Sequence, residues 1–177
     1  NTIFLAAGRL TKQKNFGYLI EEFGKFYFEN KNSRLVILGD GEEKQKLKRL
    51  INEKKLNNVI YLLGKVDNVI RYMKDSHAFI LTSKWEEMGF VIIEAALSNL
   101  FIISSNCPNG PSEFLNYGKD GILFENNQKD ALYQSLLKYN QLEEKTKYKN
   151  KIQTKKNSVN FTMFRHFKVL NEIISKK

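Results

Sequence analysis

A single cysteine, Cys107, stands in 177 residues, so no internal disulfide can form, a pattern that fits a reducing cytosol. No apolar run approaches the roughly 20 residues that a helical membrane span requires. The opening stretch Ile3-Phe4-Leu5-Ala6-Ala7 reads as a strand and carries no signal-peptide pattern. No Asp-x-Asp pair follows any strand-like run: Asp40 precedes Gly41-Glu42 and Asp67 precedes Asn68-Val69. A metal-chelating acidic pair of that kind is therefore not expected. Aspartates clustered at strand ends are missing too, which argues against a response-regulator-like module.

What is present describes an ordinary globular chain. Hydrophobic residues make up 42% and aromatics 12%, enough for one full core and against general disorder. Because the chain opens at Asn1 directly on a strand, the expectation is one domain cut from a longer polypeptide. The net charge of +10 is unevenly placed. Residues 1–137 carry 18 Lys and Arg against 16 Asp and Glu, whereas residues 138–177 carry 11 against 3. A neutral α/β body over residues 1–140 thus precedes a basic helical tail over 141–177. That tail suits an anionic leaflet, where each Lys or Arg contributes about 1 kcal/mol; it suits equally a pair of solvated helices. Nucleic acid is not expected, since Phe161, Phe164 and Phe167 fall at helical spacing and read as core-facing.

Short β-branched runs alternate with longer helical ones, the pattern of a parallel sheet with crossover helices. Six strands are expected at Ile3–Ala7, Leu35–Leu38, Val59–Leu63, Ala78–Leu81, Phe101–Ser104 and Ile122–Phe124. Most are continuously apolar, as strands covered on both faces should be. Helices are expected at Phe16–Glu29, Glu42–Glu53, Val91–Leu97 and Lys129–Asn140, followed by the terminal helices. A doubly wound sheet is the economical topology, and ligands of such folds bind at the carboxyl ends of the strands.

The residues after each strand therefore matter most. In Ser83-Lys84-Trp85-Glu86-Glu87-Met88-Gly89-Phe90-Val91-Ile92-Ile93-Glu94, two glutamates flank a glycine at a strand-to-helix turn. A carboxylate can accept from both hydroxyls of a cis-diol, a glycine admits close backbone approach, and helix-start amides favour an anion. Taken singly, Glu94 could be an acidic residue of a first helical turn and Glu86 a solvated loop charge. Gly8-Arg9-Leu10 with Lys14 offers fixed cations for phosphate, where arginine's planar fork bonds two oxygens; Lys12 is a competitor for the lysine role. Gly39-Asp40-Gly41 is a turn and N-cap by its own chemistry.

In this order the segments resemble the donor-binding half of retaining GT-B glycosyltransferases, in particular glycosyltransferase family 4. The resemblance runs from about Ile3 to Phe124 and more loosely beyond. It implies a Rossmann-like domain whose partner half, holding the acceptor, lies outside this chain. It further implies that Glu86 contacts sugar hydroxyls, Glu94 the ribose, and Gly8, Arg9 and Lys14 the diphosphate, with Glu86, Arg9 and Lys14 carrying the catalytic roles. Gly39 would lie near the nucleotide, Lys65 and Val66 would meet the base through their backbone, and Met88, Gly89 and Phe90 would lie against the diphosphate and sugar. Asn109 and Gly110 would line the donor site, Pro111 would open a short helix, and Cys107, His77 and His166 would be structural.

The family pattern usually has a small residue and an aromatic where Glu87-Met88 stand, and a glycine–proline turn where Ser98-Asn99-Leu100 stand. The activity implied is metal-independent transfer of a hexose, with retention, from a nucleotide sugar such as a UDP-hexose to a glycan or lipid-linked acceptor. Its setting would be bacterial surface polysaccharide or glycoconjugate synthesis in the cytoplasm, at the inner face of the membrane. The alternative is a related, non-catalytic nucleotide- or sugar-phosphate-binding domain.

Overall fold

A computed structural model describes residues 1–86 and 89–174, with side chains to residue 159. Among these, six strands alternate with helices. The strands are β1 (Thr2–Ala7), β2 (Ser33–Leu38), β3 (Ile60–Gly64), β4 (Ala78–Leu81), β5 (Phe101–Ser105) and β6 (Ile122–Phe124). The helices are α1 (Phe16–Glu29), α2 (Lys44–Glu53), α3 (Val69–Lys74), α4 (Phe90–Leu97), α5 (Pro111–Phe114), α6 (Ala131–Gln141) and α7 (Glu144–Ile174). All five strand pairings are parallel. The order β3-β2-β1-β4-β5-β6 is the Rossmann-like arrangement, and its direction of winding reverses between β1 and β4.

Strand side chains alternate between two core layers, which is why the strands read as unbroken apolar runs. Phe4 and Ala6 of β1, with Phe101 and Ile103 of β5, face one layer; Leu5, Ala7 and Ile102 face the other. In the first layer Leu19, Ile20, Phe23 and Phe26 of α1 are fully buried. Phe4 meets Phe23, Phe26 and Tyr139 edge-on at 5.9, 5.7 and 5.4 Å, a geometry favoured by the ring quadrupoles. The second layer packs α4 onto the sheet through Ile92, Ala95 and Ala96.

Several expectations are corrected. The basic tail is one helix, α7, and not a helix pair. The side chains of Phe161, Phe164, Phe167 and His166 lie outside the described residues. Helix α3 escaped the sequence reading because it is only six residues long; Asn68 caps it, its side chain accepting from the Arg71 N–H at 3.2 Å. Helices α2 and α6 begin two residues later than their apolar spacing suggests. Asp130, just before α6, takes a left-handed conformation (φ 63°) that helical residues do not adopt.

Candidate active site at the reversal of strand order

Between β1 and β4 the following loops part, and each contributes one charged side chain to the crevice. Lys14, in the turn that leads into α1, extends its ammonium to Glu86, which lies beyond β4. Lys14 Nζ donates to Glu86 Oε1 at 2.6 Å and to Oε2 at 2.9 Å. The side chains are 17% and 6% exposed, so this is a sheltered pair open to solvent on the lysine side. Glu86 is thus not a solvated loop charge. Ser83, itself buried, donates its hydroxyl to Glu86 Oε1. The aliphatic stem of Lys14 crosses Gly8: a Cβ there would sit 3.3 Å from Lys14 Cε.

The backbone around this pair is held from every side. Thr82 Oγ1 donates to the Lys14 carbonyl at 2.8 Å, Lys84 N–H to the Gln13 carbonyl at 2.8 Å, and Gln13 Nε2 to the Trp85 carbonyl at 2.8 Å. From the β5–β6 side, Ser105 Oγ donates to the Ser83 carbonyl at 2.7 Å and Asn126 Nδ2 to the Lys84 carbonyl at 2.8 Å. Glu86 N–H reaches the Pro108 carbonyl at 3.3 Å. From the β2 side, Leu10 N–H donates to the Asp40 carbonyl and Glu43 N–H to the Leu10 carbonyl. Gly39 makes this approach possible. With φ 140°, its position leaves a Cβ only 1.8 Å from the Gly8 carbonyl oxygen, so any side chain would collide with the loop bearing Arg9.

Gly89 occupies the N-cap of α4 at φ 60° and supplies no side-chain cap; the Ile92 N–H donates to the Gly89 carbonyl at 3.0 Å, so the amides this helix start can offer an anion are those of Phe90 and Val91. Glu94 is the fifth residue of α4, one turn beyond the first-turn position considered above, and its side chain is exposed. Arg9 is exposed beside Gly8. Neither Arg9 nor Glu94 has a side-chain partner among the described residues.

Lys65 is exposed after β3, while Val66 packs partly into the second core layer. Phe90 is exposed, and Asn109 and Gly110 both take positive φ, 71° and 130°, ahead of α5. Met88 lies outside the described residues. Lys14 and Glu86 are therefore joined directly, with Gly8 and Gly39 framing them. Lys12 lines instead an open groove of about 840 Å3 between α1 and α2, among Glu21, Glu42, Lys46 and Arg49. Cys107 is buried, and burial raises its thiol pKa. Asp40 is committed to Lys44, whose ammonium holds the carboxyl below its ordinary range.

Sequence reading passed over Ser83, Thr82, Gln13 and Asn126. Thr82-Ser83 did carry a signal, two hydroxyls placed immediately after an apolar strand. Gln13 and Asn126 act on carbonyls 72 and 42 residues away, and no local pattern announces such bonds.

A doubly wound parallel sheet, with a glycine-framed Lys14–Glu86 pair at its switch point, defines a Rossmann-like domain. The chain matches the family model for glycosyl transferases group 1 over residues 1–160, and it belongs to that family. It is 39% identical over 147 residues to an uncharacterized glycosyltransferase of Methanocaldococcus jannaschii, covering 76% of this chain and 36% of that protein. It is 35% identical over 128 residues to the alpha-monoglucosyldiacylglycerol synthase of Acholeplasma laidlawii, covering 71% and 32%. Among solved structures, HepE of Anabaena in complex with UDP-glucose superposes with a TM-score of 0.84 at 21% identity, covering 100% of this chain and 49% of that one. The chain thus spans about a third of the length of these two curated relatives.

Proposed function

We propose that this chain is the donor-binding half of a retaining hexosyltransferase that uses a UDP-linked sugar and passes it to a glycan or lipid-linked acceptor. The observation that carries the reading is the Lys14–Glu86 pair, set across Gly8 at the reversal of strand order. The fold shared with a UDP-glucose complex supports the donor class. The relative named for an alpha-monoglucosyl diacylglycerol supports a hexose and a lipid-type acceptor. The setting we propose is bacterial surface polysaccharide or glycoconjugate synthesis on the cytoplasmic side of the membrane.

In this reading the departing diphosphate meets Arg9, Lys14 and the uncapped amides at the start of α4. Charge that develops as the glycosidic bond breaks is stabilised most by donors already aimed at it. Glu94 accepts from the ribose hydroxyls and Glu86 from the sugar. Glu86 therefore has two tasks. It holds Lys14 in place when the crevice is empty, and it shares that lysine with phosphate when a donor arrives. The acceptor lies in a second domain outside these residues, and closure of the two halves is what positions the reactants. No metal step enters the scheme, because fixed cations meet the charge.

Calorimetric titration with UDP, GDP, ADP and the corresponding sugars tests the reading. Binding of a uridine diphosphate compound, in the presence of a chelator and sensitive to Glu94→Ala, is expected. No binding of any nucleoside diphosphate would remove it.

A further inference from the structure

Helix α7 departs from ordinary amphipathic logic, in which apolar residues face inward and polar residues outward. Over residues 144–159 its inward face is polar. Lys147 stacks its ammonium 4.6 Å over the Tyr139 ring and bonds Glu144. Thr154 and Ser158 are buried, with hydroxyls donating to carbonyls of their own helix. Asn157 donates to the Phe114 carbonyl and to Asp120. The outward face carries Lys145, Tyr148, Lys149, Lys155, Lys156 and Val159, all exposed, with Ile152 half-buried in their midst. These positions recur at three- and four-residue spacing, so they form one stripe about 21 Å long at 1.5 Å per residue. No acidic residue occurs between 145 and 159. The nearest acid in sequence, Glu144, is bonded to Lys147.

We infer that this outward stripe of α7 is a docking surface for an anionic phospholipid membrane. Four ammonium groups and three apolar side chains on one face match a headgroup boundary. Lysine stems lie along the apolar layer while their charges reach phosphates, and Tyr148, Ile152 and Val159 enter the acyl edge. A phosphate backbone in water would use the lysines and leave Ile152 and Val159 without a role. A second copy of the same stripe would bring like charges together. Among the described residues no helix is long and apolar enough to cross a membrane, and the proposed mode is a helix lying along the bilayer surface. The stripe is independent of the donor crevice and stands whether or not the donor assignment does.

Cosedimentation of the chain with phosphatidylcholine vesicles, with and without phosphatidylglycerol, at low and high salt, tests the inference. Binding is expected only with phosphatidylglycerol and should weaken with salt. Each lysine held at an anionic surface is worth about a fivefold change in partition. The K145Q/K149Q/K155Q/K156Q variant should therefore lose on the order of 600-fold, and K145Q/K149Q alone about 25-fold. Y148S/V159S should lose severalfold and abolish whatever binding survives high salt. Circular dichroism melting confirms that each variant is folded. Unchanged partition in folded lysine variants, equal binding to phosphatidylcholine alone, or displacement from vesicles by stoichiometric single-stranded RNA would each overturn it.

Discussion

Lys14 and Glu86, 72 residues apart in sequence, meet at 2.6 Å across the point where the sheet reverses its winding. In the proposed function, a cation assigned to phosphate is thereby kept in place by a carboxylate until the ligand arrives. Breaking such a pair leaves the remaining charge poorly compensated. Glu86→Ala should lower folding stability by about 2 kcal/mol, below the 3–5 kcal/mol of fully buried pairs because Lys14 keeps partial contact with water. In a double-mutant cycle with Lys14→Met, the two losses should not add. Urea denaturation measures this, and additive losses would mean that the contact contributes nothing.

Glu94 behaves oppositely, since it is exposed and unpartnered among the described residues. Glu94→Ala should leave the melting temperature unchanged while weakening UDP binding by about 1.5–3 kcal/mol, the worth of charge-assisted hydrogen bonds. Calorimetry decides: a folded variant with undiminished affinity rules out the ribose role.

Arg9→Ala should reduce affinity for UDP far more than for uridine, because the guanidinium is assigned to phosphate alone. Parallel titrations with both ligands, repeated with magnesium and with EDTA, check the assignment. Equal losses for the two ligands would contradict it, and a strict need for magnesium would contradict the fixed-cation scheme.

Gly39→Ala tests the frame of the crevice. Its new Cβ would meet the Gly8 carbonyl at 1.8 Å, forcing β1 and β2 loop ends apart. A loss of about 2–4 kcal/mol is expected from such strain, together with loss of UDP binding. A variant as stable as the parent would show that the loops can part freely.

His77 supplies a pH-dependent test. The Ile3 N–H donates to its Nδ1 at 3.1 Å, a bond only the neutral ring can accept. Partial burial, then the charge of Lys151, lowers its pKa below 6.5. The unfolded chain therefore takes up this proton first as pH falls. Stability contributed above pH 6.5 should be lost as pH drops through the lower, folded-state pKa. In His77→Gln the thermal-melt profile should be flatter between pH 7 and 5; identical profiles would exclude His77 as the source.

The sequence by itself determined the alternation of strands and helices and the segments that follow each strand. Those features are local: a strand covered on both faces must be apolar throughout, as Phe4-Leu5-Ala6-Ala7 is, and α1 announces its bounds through the spacing of Leu19, Ile20, Phe23 and Phe26. Short elements fared worse, and α3 was invisible because six residues cannot display a period. The strand order, the choice of Lys14 over Lys12 as Glu86's partner, and the burial of Glu86 were decided only by tertiary structure. Two lysines two residues apart have the same chemistry and differ only in which way the turn after β1 aims them. That aim is set by bonds from Thr82, Lys84 and Gln13 across the sheet reversal. The sequence likewise determined that the tail is basic, whereas packing on the body decided which lysines of α7 face outward. A helix has no outward side until something covers the other one.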